Sequence, residues 1–242
     1  MTAGIGGKRL LVKEADLVRI YPRLFHMAED GSLPSIQAKG LLSTSAILDL
    51  YKINGAVRAA IESACRPESV TIKKAGLPDA VIRDQKPMTD SALRTCLKDQ
   101  LTPKEWYEML NRKTFFWLHK ERLWKLLNAK AYRDQPQTIL TIDTASLVAA
   151  HRHRILLSPI NSGSTIMNPQ PRGKDTFMSI EAYPYAERRK TRSVANALVE
   201  LIVMDGVHDI NDHLIAAHRV HQGKLKELWR RAGSDPNDGP HV

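Results

Sequence analysis

Three stretches put residues capable of chemistry inside apolar or aromatic runs. The first is Leu24-Phe25-His26-Met27-Ala28, where one imidazole interrupts a short buried-strand pattern. The second is the aromatic run Phe115-Phe116-Trp117. The third is Leu198-Val199-Glu200-Leu201-Ile202-Val203, where one carboxylate stands among branched aliphatics. Strand alternation puts Leu198, Glu200 and Ile202 on one face and Val199, Leu201 and Val203 on the other, so Glu200 has apolar neighbours either way. An unpaired buried carboxylate is expensive, so Glu200 must sit at an exposed edge, be paired, or line a cleft. The plain alternative for His26 is a hydrogen-bonded core histidine. Further candidates lie on the Pro/Gly/Ser/Asn-rich stretch 159–176. There Asn161 before Ser162-Gly163 and Arg172 before Gly173 could approach a ligand closely, or serve turn chemistry alone.

Metal and nucleotide signatures are missing. No HExxH occurs, and neither GxGxxG nor GxxxxGK[ST] is present. His151 and His153 flank an arginine without carboxylate or cysteine company, which argues against a metal site, and none is expected. The two cysteines, Cys65 and Cys96, lie far apart in no metal or redox spacing, consistent with a reduced, cytoplasmic setting. The N-terminus lacks the apolar core of a secretory signal, and no apolar run approaches the roughly 20 residues needed to span a bilayer.

The elements that must position these residues are mixed without regular alternation, which argues α+β. Residues 14–21 read as a short helix stopped by Pro22, and the His26 strand follows. After one or two helical turns, Gly40 sits where a left-handed helix cap belongs. Ser43 or Thr44 can cap a helix bearing Ile47, Leu48 and Tyr51, and a second helix covers 56–64. Residues 69–73 and 80–83 read as short strands. Thr102-Pro103-Lys104-Glu105 is a capping box with proline in the first turn, and Trp106 and Tyr107 behind it read as core. Strands are expected at 114–118, 138–142, 154–157, 177–182, 195–203 and 213–220. Trp229, among Lys224, Lys226, Arg230 and Arg231, would stack on a base or dock a C-terminal helix. The expected organisation is a flexible lead at 1–8, one domain over 9–232 and a disordered tail at 233–242.

The global number that stands out is charge. Thirty-six Lys and Arg against 26 Asp and Glu give +10 in 242 residues. A balance like this favours a polyanionic partner, a nucleic acid or a phosphorylated ligand. The run Arg188-Arg189-Lys190-Thr191-Arg192 could track a phosphodiester backbone, or be a solvated surface cluster.

The segments FHMAEDGSLPSIQAKGLLS (25–43) and NALVELIVMDGV (196–207) resemble the first and third motifs of DarT-type ADP-ribosyltransferases, of the diphtheria-toxin/PARP-like fold. A bacterial group of domains of unknown function is more similar still, through IRDQKPM, WYEMLN…FFW and INSG…PRG…TF. The resemblance covers roughly residues 18–222. It implies a split mixed β-sheet core and NAD as substrate. His26 would bond the adenosine-side ribose, the Met27 backbone would hold the nicotinamide amide, and Phe115, Phe116 or Trp117 would stack on nicotinamide. Glu200 would bond the nicotinamide-ribose hydroxyl and assist the acceptor, and Arg83 would neutralise the pyrophosphate. Asn161 and Arg172 are further candidate ligand contacts. Cleaving the glycosidic bond develops positive charge that a carboxylate stabilises, and an arginine grips phosphate oxygens. The resemblance further implies single-stranded DNA as acceptor and an antitoxin partner, and the lack of a long apolar run leaves no membrane partner expected. The region 43–112 and Met27-Ala28 depart from the DarT pattern. An NAD-dependent RNA 2′-phosphotransferase and a non-catalytic nucleic-acid-binding module are the alternatives, and Glu200 speaks against the former.

Overall fold

The structure, a computed structural model, describes residues 14–241. The expected flexible lead at 1–8 therefore lies outside the described residues. The strands in chain order are β1 (Arg23–Glu29), β2 (Leu41–Leu42), β3 (Val70–Ile72), β4 (Ala80–Ile82), β5 (Lys113–Trp117) and β6 (Gln137–Asp143). They continue with β7 (Ile155–Ser158), β8 (Met178–Ser179), β9 (Glu200–Met204), β10 (Gly206–Val207), β11 (Leu214–His221) and β12 (Lys224–Arg230). The helices are α1 (Glu14–Ile20), α2 (Leu33–Lys39), α3 (Thr44–Tyr51), α4 (Gly55–Glu62), α5 (Asp90–Cys96) and α6 (Pro103–Asn111). After these come α7 (Lys120–Leu127), α8 (Thr144–His151), α9 (Tyr185–Arg189), α10 (Val194–Ala197) and α11 (Ile210–His213). The fold is α+β.

Eight strands form the main sheet in the order β12-β11-β6-β1-β5-β9-β7-β8. Its recorded pairings are antiparallel, which corrects the expectation of a mixed sheet. The feature that matters is in the middle. β1 pairs with β6 along all seven of its residues, but with β5 only at Phe25↔Trp117. Beyond that point the sheet splits into two wings. Leu24, Phe116, Leu140 and Leu201 belong to a central core, while Trp106, Phe177 and Ile202 form a second cluster under β5 and β9.

Local signals held where they were self-contained. Ser43 accepts from Ala46 N at the start of α3. Thr102 and Glu105 form the reciprocal box at α6, whose Trp106 and Tyr107 are buried. Gly40 caps α2 with φ +92°, ψ 165°, a glycine-type conformation outside the left-handed helical basin expected for it. A β-carbon there would lie 2.6 Å from the His208 Cα.

Other expectations failed for physical reasons. Residues 195–203 are not one strand. Ser193 O accepts from Asn196 N and Ala197 N, winding α10 and leaving Glu200 as the first residue of β9. Trp229 lies on the edge strand β12, not a helix, and packs on the central core. The tail is ordered through Gly239 to His241. Asp238 pairs with Arg23 at 2.7 Å, Pro240 O accepts from Trp124 Nε1 at 2.6 Å, and Arg230 donates to Asp235 O. Arg23 and Trp124 lie 215 and 116 positions from their partners, and Arg230 belongs to another element, so composition alone could not reveal these contacts.

Gly206 opens β10 at φ +111°, where a β-carbon would sit 2.8 Å from the Leu42 backbone. Gly206→Ala is expected to cost about 1–3 kcal/mol by strain and to unzip β10 from β2. Chemical denaturation checks this; an unchanged midpoint would show that the β2–β10 ribbon gives way freely.

Candidate functional site

The split between the wings holds a cavity of about 350 Å³. β1 contributes His26, Met27 and Ala28, and β5 contributes Lys113, Phe115 and Trp117. β9 contributes Glu200, the loop after β7 contributes Asn161, Ser162 and Gly163, and Arg83 and Tyr132 close another side. The walls also include Leu41 and Leu42 of β2.

His26 bridges the gap where the strand ladder stops. Its Nδ1 lies 2.8 Å from Phe115 O. A carbonyl only accepts, so Nδ1 carries the proton and Nε2 keeps a lone pair. Burial pushes the imidazole down to about 4, against the Phe115 bond and with help from the Arg83 charge. At neutral pH His26 is therefore an uncharged acceptor. This suits a ligand hydroxyl, and the same bond also serves the plain structural reading.

Glu200 is buried, with 4 % of its surface exposed. Ser162 N donates to both carboxylate oxygens at 3.2 Å, and Ser162 Oγ donates to Oε2 at 2.7 Å. Burial raises its pKa to about 7, although the Ser162 bonds and the Arg172 and Arg122 charges oppose this. It is thus poised to take or give a proton near neutrality. Removing the hydroxyl in Ser162→Ala should move the Glu200 titration further up. The pH profile of activity or a carboxylate infrared titration would read it; a downward move would show that the hydroxyl opposes the ionised form.

The cavity's charge leans positive by placement as well as by number. Arg66 and Lys113 line it, are 6 % and 8 % exposed, and have backbone carbonyls as partners: Arg83 O at 3.0 Å for Arg66, and Met109 O at 2.7 Å for Lys113. Burial lowers them to about 10 and about 8. Arg83 donates to Gln137 Oε1 at 2.8 Å, reaches Met27 O at 3.5 Å and lies 5.2 Å over the Tyr132 ring. None of the three has a carboxylate ion-pair partner among the described residues. Cations held by backbone carbonyls and amides rather than by direct carboxylate pairs favour an anionic ligand, with Glu29 and Asp84 on the same lining opposing it.

Of the candidates read from sequence, His26, Met27, Arg83, Phe115, Trp117, Asn161 and Glu200 converge on this cavity. Two do not. Phe116 alternates away from Phe115 and Trp117 into the central core, so it cannot stack on a ligand there. Arg172 lies behind the loop, 1 % exposed, and spends its guanidinium on Gln170 O, Ser162 O and Ser164 O at 2.9–3.0 Å. It shapes the loop that presents Ser162 and contacts no ligand space. Ser162, Gln137 and Tyr132 were not singled out as ligand or catalytic groups, because each acquires its role from a partner at least 38 positions away.

The expectation that His151 lacks carboxylate company also fails. Asp209 and His213 come within bonding distance of it, on the side of the fold carrying α8 and α11. None of the three lines the cavity. No described helix is long and apolar enough to cross a membrane. No curated protein matches the sequence. A family model described as a family of unknown function, DUF7002, matches residues 22–214, which carry β1, the split and every cavity residue named above. The chain belongs to the DUF7002 family.

Proposed function

We propose that the chain is a cytoplasmic NAD-dependent ADP-ribosyltransferase of the DarT-like kind, acting on a nucleic acid, with a base in single-stranded DNA favoured. The observation that carries this is the placement of His26 on β1, at one lip of the split, and of Glu200 on β9, the strand beyond β5, with both lining the same cavity. The cations Arg83, Arg66 and Lys113 suit the pyrophosphate, and Phe115 and Trp117 offer aromatic faces for nicotinamide. β1 beyond Phe25 has no β5 partner, so its backbone there is available to an amide group. The net charge of +10 supports a polyanionic acceptor. A toxin or phage-defence role with an antitoxin partner belongs to the same reading.

In this mechanism the bond from the ribose C1′ to nicotinamide breaks, and nicotinamide leaves with the bonding pair. Ionised Glu200 stabilises the oxocarbenium-like centre, the acceptor atom bonds C1′, and Glu200 takes the acceptor proton. His26 Nε2 accepts from a ribose hydroxyl. Because the active form is the carboxylate, activity should fall about tenfold per pH unit below about 7 and level off above it.

The test is incubation with NAD labelled in its adenylate half, alone and with single-stranded DNA, RNA and protein. Label on single-stranded DNA is the expected result. A folded protein that neither binds nor turns over NAD would overturn the reading. One observation favours a non-catalytic nucleic-acid-binding module instead: Ser162 already engages both Glu200 oxygens. Salt-sensitive DNA binding with no nicotinamide release would decide for it.

A further inference from the structure

We propose that His151, Asp209 and His213 form a binding site for a divalent transition metal of the zinc class, separate from the cavity. The three come from two elements brought together by the fold: His151 ends α8, and Asp209 precedes α11, which ends at His213. His151 Nε2 lies 2.9 Å from Asp209 Oδ1. His213 Nε2 lies 3.3 Å from His151 Nε2 and 3.4 Å from Asp209 Oδ2. Ligand atoms bonded to one zinc ion at 2.0–2.1 Å in a tetrahedron stand about 3.3 Å apart. The nitrogen pair stands at that distance, each nitrogen has its own Asp209 oxygen at 2.9 or 3.4 Å, and one ligand atom from each residue lies within 4.8 Å of the others. Two facing imidazole nitrogens and one carboxylate are also the donor set that such ions take. Asp209 is 40 % exposed, which gives solvent access to the cluster on its side, while both histidines are buried.

The surroundings orient the two rings differently. His213 Nδ1 lies 3.0 Å from Ser146 Oγ, an acceptor for the Nδ1 proton, which leaves Nε2 free to ligate. His151 Nδ1 lies 2.7 Å from Arg154 Nη2. A guanidinium only donates, so without metal the His151 proton sits on Nε2 and is given to Asp209. Metal binding moves that proton from Nε2 to Nδ1 and makes Arg154 Nη2 withdraw. Arg154 is therefore a built-in competitor. Its Nη1 stays on Met204 O and Gly206 O, at the corner between β9 and β10. The metal would clamp α8 to the 206–213 segment, whose β10 pairs with the cavity wall strand β2.

The test uses the full-length chain, stripped with chelator and titrated with Co²⁺ as a spectroscopic probe, then with Zn²⁺ in competition. One equivalent of cobalt with the visible absorption of a four-coordinate site is expected, displaced by zinc. His213→Ala and Asp209→Asn should each weaken binding roughly 100-fold or more, since changes to groups that merely orient ligands already cost 10–100-fold. Arg154→Met should bind roughly tenfold tighter, because it removes both the competing donor and a nearby positive charge. That gain is what a purely structural hydrogen-bond network would not show. Circular dichroism confirms that each variant is folded. Cobalt binding that survives His213→Ala, or an Arg154→Met variant that is folded but binds no tighter, overturns the assignment.

Discussion

Glu200→Gln should unfold at higher denaturant concentration than the wild-type chain above pH 7 and, on the proposed transferase reading, should release nicotinamide from NAD roughly 10²–10⁴-fold more slowly. The two halves of this result come from one cause. Burial raises the Glu200 pKa from 4.5 to about 7, so the fold resists the ionised form. A group whose folded pKa lies above its unfolded value contributes stability below the unfolded pKa and loses it as pH rises through the folded one. The wild-type chain therefore loses about 3 kcal/mol between pH 4.5 and pH 7 through this residue, an order-of-magnitude figure at 1.36 kcal/mol per unit. Glutamine keeps the shape and carries no charge, so the gap between variant and wild type should open across that window and plateau above it. On the proposed transferase reading, loss of the carboxylate leaves the oxocarbenium-like centre without counter-charge and the acceptor without a base, a loss of roughly 10²–10⁴-fold. Denaturation at pH 5 and pH 8 with NAD turnover at pH 8 reads both. Full turnover would remove Glu200 from the chemistry, and a stability gap that does not grow with pH would mean that its carboxyl is solvated.

Arg172→Ala should be the most destabilising single change around the site, by about 3–5 kcal/mol, since each buried carbonyl left without a donor costs about 1–3 kcal/mol. The guanidinium is nearly inaccessible, holds three backbone carbonyls and lies 5.8 Å over the Trp106 ring. Truncation leaves those carbonyls without donors inside the protein. It also frees Ser162, whose N–H and hydroxyl hold Glu200, so activity should fall even where the variant stays folded. Arg172→Lys supplies one compact charge in place of a planar fork and should fall between the two. Denaturant midpoints measure the series. A loss within 1 kcal/mol of wild type for Arg172→Ala would mean that the loop holds its shape without it.

How much was legible beforehand depends on how far apart the interacting residues are. The α6 capping box and the Ser43 cap were readable because both partners lie within one helical turn. His26 and Glu200 were readable as misfits, since a polar group in an apolar run must be satisfied by something. What satisfies them was not readable. Phe115 O lies 89 positions from His26, and Ser162 lies 38 from Glu200. Arg172 looked like a ligand arginine because its neighbours are proline and glycine, yet the same glycine-bearing loop folds back over it.

The sequence by itself determined the residue types, the strand around His26, the helix starts and a charge that favours anions, since these depend on short-range periodicity and on counting. Only the tertiary structure decided that β5 leaves β1 after Phe25, that Phe116 turns away while Phe115 and Trp117 face the cavity, and that the tail binds back to Arg23 and Trp124. It alone joined His151 to Asp209 and His213, some 60 residues on. The physical reason is common to all four. Each depends on which surfaces bury together, and that free energy comes from contacts between segments distant in the chain, which no local pattern records.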